Sequence, residues 1–306
     1  MQTTLQSAVS FTGTGLHSGR PVRMSVTPAP ADHGLWVRRT DVRDADPMIQ
    51  ALYSNVTDTR LNTRLSNTQG VTVSTVEHVM AALAGCGIHN AVIEVDGQEV
   101  PIMDGSSVPF VRAFLKAGTK PLDAPMQAWR VARAVELCTQ EYSARLEPAA
   151  RCEIDFAIDF PAQAIGVQAL KMDMANGAFV RELSDCRTFV LRQDVERLQS
   201  VGLALGGSLD NAVVVEGDQV LNQDGFRRAD ECVRHKILDA VGDLALAGAP
   251  IIGRYSGYRA GHGATNALLR KAFATPGALE RVTLGSEDLH LLPGTHIGQA
   301  DLSRVG

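Results

Sequence analysis

Short runs in which apolar and polar residues alternate mark the opening of the chain. Val22-Arg23-Met24-Ser25-Val26 is one of them, and its period of two predicts a strand with one buried face. From Ser74 to Gly85 the period changes. Val79 and Leu83 among small alanines predict a helix, with Ser74-Thr75-Val76-Glu77 in the form of a capping box and Gly85 and Gly87 as stops. The apolar strand Ala91 to Val95 follows and closes at the turn Asp96-Gly97. Around Asp123-Ala124-Pro125 the pattern weakens, which predicts a linker. A second set of strands begins at Trp129-Arg130-Val131 and includes the alternating segment Glu153 to Phe160. Between Asp230 and Leu246, Val233, Ile237, Leu238, Val241 and Leu244 recur at helical spacing, and Gly248 and Pro250 end that helix. The strand Pro250 to Tyr255 comes next.

The two halves share one order: strands, a helix carrying a histidine, then an apolar strand. His78 precedes Ala91 much as His235 precedes Ile251, which suggests an old duplication whose two helices face each other across a ligand site. The expected class is α+β, with two similar domains, each a layer of helices on a mostly antiparallel sheet. The expected boundaries are 1–124 and 127–286, followed by an irregular, partly mobile tail over 287–306.

Length and composition narrow the partners. The 306 residues, 45% of them apolar, are enough for two cores. A formal charge of -5 without a long basic run argues against nucleic acid and leaves a small or amphiphilic ligand. No stretch reaches the roughly 18 apolar residues of a membrane span. The start Met1-Gln2-Thr3-Thr4 lacks the order of a signal peptide, so a cytoplasmic protein with no integral membrane segment is expected. Five scattered cysteines form neither a disulfide framework nor a thiolate cage, so any metal must be held by histidine and carboxylate.

His235 and Asp239, four apart, share one helix face about 5–6 Å apart at Cβ. That spacing suits either two ligands of one ion or a solvated pair. Glu77-His78 offers a third ligand with an adjacent carboxylate, the arrangement in which a glutamate serves as general base; the alternative for Glu77 is its place in the capping box. His262, in Gly261-His262-Gly263, reads as a loop histidine before a helix starting near Thr265, free to reach into a cleft or to stay exposed. Asp243, two turns beyond His235, is placed to orient an incoming imidazole or to be one more surface acid.

Several strings, in order, resemble the signature segments of UDP-3-O-acyl-N-acetylglucosamine deacetylases. They are Gly13-Thr14-Gly15-Leu16-His17, Ser74 to His78, Val100-Pro101-Ile102-Met103-Asp104-Gly105-Ser106, Leu205-Gly206-Gly207-Ser208, Val233 to Ala240 and Gly261-His262. The resemblance implies a zinc site of His78, His235 and Asp239 at the domain interface, Glu77 as base, and His262 held by Asp243 as acid. It implies that Thr188 stabilises an oxyanion, that Lys236 contacts phosphate, that Phe189 and Asp194 contact substrate, and that Phe160 lies beside the uracil. It also makes Val195 to Val215, with Leu198, Val201, Leu203, Ala204, Leu205 and Val214, an insert that forms an apolar passage for an acyl chain, and puts Leu16, Val195, Ala204, Gly207 and Val214 among the substrate-binding residues. Leu209 stands where many members have an aromatic residue. Pro161-Ala162-Gln163 replaces a common His-Pro pair, and Tyr142 stands where some members have lysine.

The reaction implied is hydrolysis of a 2-acetamido group on an acylated UDP-amino sugar, giving acetate and a free amine for lipid A synthesis. Two other readings are a zinc amidase acting on another acylated amino sugar, and a non-catalytic protein that binds a nucleotide-sugar or lipid. No protein partner is implied.

Overall fold

The computed structural model describes residues 1–304. Two sheets form the frame. The first has five strands in the order Val9–Thr14, Pro21–Pro28, Ala91–Val95, Leu35–Arg39, Met48–Gln50, antiparallel except where Leu35–Arg39 runs parallel to Ala91–Val95. In the second, Ile251–Tyr258 is central. It pairs antiparallel with Ser143–Glu147 and parallel with Met126–Val131 and Cys152–Asp159. In each sheet the strand that follows a histidine-bearing helix, Ala91–Val95 or Ile251–Tyr258, is the central one. These strands are buried because their residues alternate: Cys152–Asp159 sends Cys152, Ile154, Phe156 and Ile158 into the core.

Among the described residues, five α-helices accompany the sheets: α1 (Glu77–Gly85), α2 (Val108–Ala117), α3 (Arg192–Ser200), α4 (Glu231–Ala245) and α5 (His262–Ala274). α1 and α4 pack on each other between the two sheets, and this α+β arrangement is the expected class. The contact is close because α4 carries a glycine where it meets α1: a Cβ on Gly242 would lie 2.0 Å from the carbonyl oxygen of Glu77. Only a glycine lets the two backbones approach so nearly.

Two local expectations are corrected. The capping box does not form. α1 starts at Glu77, its cap position is Val76, and no side chain caps it. The Ser74 hydroxyl instead accepts from Arg64 Nε at 3.1 Å, and the Thr75 hydroxyl donates to Glu99 at 3.0 Å. Thr75 has φ 60°, a left-handed conformation costly for a β-branched residue, and long-range partners hold it there. His262 is not a loop residue either: it is the first residue of α5 and is buried.

The final stretch carries two short 3-10 helices, Ser286–Leu291 and Gln299–Arg304, and packs on the rest through buried Leu292 and an Asp301–Arg181 ion pair of 2.9 Å. The last residues of the expected tail, Val305 and Gly306, lie outside the described residues.

Candidate active site

Buried side chains from α1, α4 and α5 meet at one place. His78 Nε2 lies 3.1 Å from His235 Nε2, and each lies 3.5 Å from Asp239 Oδ1. A tetrahedral ion with bonds of about 2.0–2.2 Å keeps its ligand atoms about 3.3–3.6 Å apart; both 3.5 Å edges fall in that range and the 3.1 Å edge just below it, so the triangle is close to a metal's donor set. Burial pushes the His235 imidazole down to about 3, leaving it a neutral lone-pair donor. Burial alone would raise Asp239, but its close contacts with the His235 ring and the Lys236 ammonium more than offset it and hold the carboxyl well below the usual range. The group can hold a metal ion.

Nδ1 of both histidines is buried without a protein partner. The carboxylate or carbonyl that commonly orients a metal-bound imidazole is thus absent among the described residues, and packing fixes the rings instead. Phe189 meets His235 edge-on with centroids 5.9 Å apart, and Phe160 meets Phe189 in the same way at 5.3 Å.

Glu77 is buried beside the triangle and accepts from the Thr63 backbone N–H at 2.9 Å. Its burial raises the carboxyl's pKa, opposed in part by His262 and His78. His262 Nδ1 is 2.8 Å from Asp243 Oδ2. Burial by itself lowers this imidazole, but the charge and hydrogen bond of Asp243 outweigh it and raise the value to about 9. The second oxygen of Asp243 accepts from the Thr63 hydroxyl at 2.6 Å. Thr63 therefore holds both carboxylates, one with its amide and one with its side chain. No sequence signal singled it out, because it lies between strands in a stretch with no apolar period.

Glu99 is a second residue the sequence left unmarked. Buried, it accepts from the backbone N–H groups of His17 and Ser18 at 2.8 and 2.9 Å and from the Thr75 hydroxyl. It ties the turn before α1 to the loop that carries Leu16. That loop in turn clasps the 195–215 segment: Leu205 N–H donates to His17 O, and Gly206 N–H donates to Leu16 O. Leu16 Cδ1 sits 3.8 Å from where a Gly207 Cβ would be.

The remaining candidates are spread around this centre. Thr188 precedes the strand Phe189–Leu191, with its N–H committed to Gly105 O and its carbonyl to Val213 N–H. Lys236 Nζ is paired with Asp239 Oδ2 at 2.7 Å, the intrahelical pairing that its spacing allowed. Asp194 lies in the first turn of α3 and pairs with Arg197 at 3.1 Å, while Val195 follows it on the same helix. Ala204 takes φ 53° in the turn after α3, and Val214 lies in the strand Val213–Glu216. This segment is not ordinary core: Val201, Leu205 and Leu209 are 67%, 53% and 50% exposed, and α3 buries no residue.

Comparison with known proteins places the chain among relatives of one name. The sequence profile of the family described as UDP-3-O-acyl N-acetylglycosamine deacetylase matches residues 2–274. The chain is 49% identical over 288 residues to the UDP-3-O-acyl-N-acetylglucosamine deacetylase of Phenylobacterium zucineum, covering 94% of this chain and 98% of that one. It is 45% identical over 303 residues to the protein of the same name from Haemophilus influenzae, covering 98% of both. To that of Actinobacillus pleuropneumoniae it is 43% identical over 302 residues, 97% of this chain and 98% of the other.

Proposed function

We propose a residue-level mechanism from a fixed premise: the chain belongs to the UDP-3-O-acyl-N-acetylglucosamine deacetylase family. It is an amide hydrolase. It hydrolyses the 2-acetamido group of UDP-3-O-(3-hydroxyacyl)-N-acetylglucosamine to acetate and the free amine, a step of lipid A biosynthesis.

The observation that carries the mechanism is the triangle of His78 Nε2, His235 Nε2 and Asp239 Oδ1. We assign these three as ligands of one zinc ion, since two imidazoles and a carboxylate without thiolate are the donors of an open catalytic zinc site. Bound there, zinc supplies Lewis acidity toward the amide carbonyl and the attacking water. Residues 1–124 and 127–286 are taken as the two repeats that close over it.

Glu77 accepts the proton of the attacking water. Burial raises its carboxyl toward the range in which a base works near neutral pH, and the Thr63 amide fixes one oxygen. His262 gives a proton to the departing nitrogen. Its Nδ1–H is engaged by Asp243, which leaves the Nε2 proton for transfer, and Asp243 keeps the ring charged despite burial. The Thr188 hydroxyl bonds the oxyanion as the carbonyl carbon becomes tetrahedral.

Phe160 and Phe189 contact the nucleotide-sugar, Phe160 on the uracil side, and Asp194 reads a polar group of the substrate. Lys236 takes a phosphate oxygen while neutralising Asp239. Leu16, Val195, Ala204, Gly207 and Val214 contact the substrate along the acyl passage, which the exposed Val201, Leu205 and Leu209 of the same segment support. The five cysteines are all unpaired, which suits the reducing cytoplasm as the place of action.

Metal analysis of the purified chain, coupled to an acetate-release assay, tests the reading. About one zinc per chain is expected, and His78→Ala, His235→Ala and Asp239→Ala should each lose metal and turnover together. A variant that keeps full zinc and normal turnover removes that residue from the ligand set.

A further inference from the structure

One cavity lies away from the residues described above. It has a volume of about 340 Å³ and is lined from both halves, by Leu35, Leu52, Ala84, Met126, Ala245 and Pro250 among others. Ala84 and Ala245 stand near the C-terminal ends of α1 and α4. At about 1.5 Å per residue, these positions are about 10–15 Å along the helices from Glu77 and His235. The volume falls in the range of about 300–1,000 Å³ typical of small-molecule sites.

Two features say what would fill it. First, a smaller cavity of about 70 Å³ shares Ala84, Ala245 and Pro293 with it and runs on among Ile154, Met174, Val241 and Leu244. The two adjoin through these residues, and the smaller is a narrow, mostly apolar continuation that also touches Glu153 and Tyr255, a shape that takes a chain. Second, His89 lines the wider part. The Thr3 backbone N–H donates to its Nδ1 at 3.2 Å, so the ring proton sits on Nε2, and among the described residues none accepts it. Burial pushes this imidazole down to about 4, so it presents a neutral N–H donor at physiological pH. Arg281 adds a cation at the exposed rim. Asp32, the rim's carboxylate, accepts from Gln2 Nε2 at 2.6 Å.

We propose that the joined cavity is a binding site for a single-chain amphiphile, separate from the catalytic cleft: an apolar tail among Ile154, Met174, Val241 and Leu244, and a hydrogen-bond-accepting head such as a carboxylate on His89 and Arg281. A saturated chain buries its methylenes against the apolar end, each contributing about 0.8 kcal/mol, while the head satisfies the His89 N–H.

Titration calorimetry of the full chain with octanoate tests this, with octylamine as the control whose head donates rather than accepts. Saturable binding of octanoate and none of octylamine is expected. Ala245→Leu and Ala84→Leu each fill the shared neck with helix-favouring side chains, and each should abolish octanoate binding while deacetylase turnover is kept. Turnover reports that the variants are folded. Three results would overturn the proposal: no octanoate binding at millimolar concentration, equal binding of octylamine, or octanoate binding that survives both leucine variants and competes with substrate. The last would place the chain in the catalytic cleft.

Discussion

His262 opens α5, where the positive end of the helix dipole and burial both oppose a charged imidazole. Asp243 reverses that balance, which makes the protonation of His262 a property of one contact. The folded value of about 9 lies above the ordinary 6.5, so the acid form is intact below neutral pH and is lost as pH rises through about 9. Turnover should therefore fall on the alkaline side. Asp243→Asn removes the main raising influence and leaves burial unopposed, so that limb should move to lower pH in a pH–rate profile while zinc content is unchanged. In His262→Ala the limb should vanish; if it persists in place, the imidazole is not the titrating acid and Glu77 handles both protons. Glu77→Gln keeps the shape of the residue and removes the base, so kcat should drop by about 10²–10⁴-fold across the whole pH range. Retained kcat would exclude Glu77 as base.

At the level of elements, the site depends on how closely α1 lies on α4. Gly242→Ala would set a methyl 2.0 Å from the Glu77 carbonyl, and neither backbone can yield without moving Glu77 and His78. A loss of about 1–3 kcal/mol in denaturant unfolding is expected, as for other overpacked contacts, together with weaker metal binding. An unaltered midpoint and metal content would mean that the helices can slide apart freely. The 195–215 segment has the opposite character, with apolar side chains held out in solvent. If they line the acyl passage, each methylene removed from the substrate chain should cost about 0.8 kcal/mol in kcat/KM, roughly fourfold per carbon. Equal rates on acylated and non-acylated sugars would remove the passage assignment.

Across the whole molecule, the group that can hold a metal draws one residue from the first half and two from the second, so a bound ion would act as a stitch between them. Binding only to the folded state stabilises it by about 2.7 kcal/mol when free metal is a hundredfold above Kd. Chelation should therefore lower Tm and added zinc restore it, whereas His78→Ala should melt at one temperature with or without zinc. A Tm indifferent to chelation in the parent chain would mean that the interface of α1 and α4 holds without the ion.

Local pattern alone was enough to read the elements and their repeat. Alternation and helical spacing are local properties, so Ala91–Val95, α4 and the buried face of Cys152–Asp159 could be read directly. His235 and Asp239 were legible as neighbours because four residues make one helical turn. Bringing His78 to within 3.1 Å of His235 required the close crossing at Gly242, and no local pattern encodes a contact across 157 residues. The capping box failed for the same reason. Ser74, Thr75 and Glu77 have the right local form, but Arg64, Glu99 and Thr63 arrive from elsewhere in the chain and take their hydrogen bonds. Packing across the chain settled that competition, and in doing so it turned Glu77 from a helix cap into a buried carboxylate beside His78, His235 and Asp239.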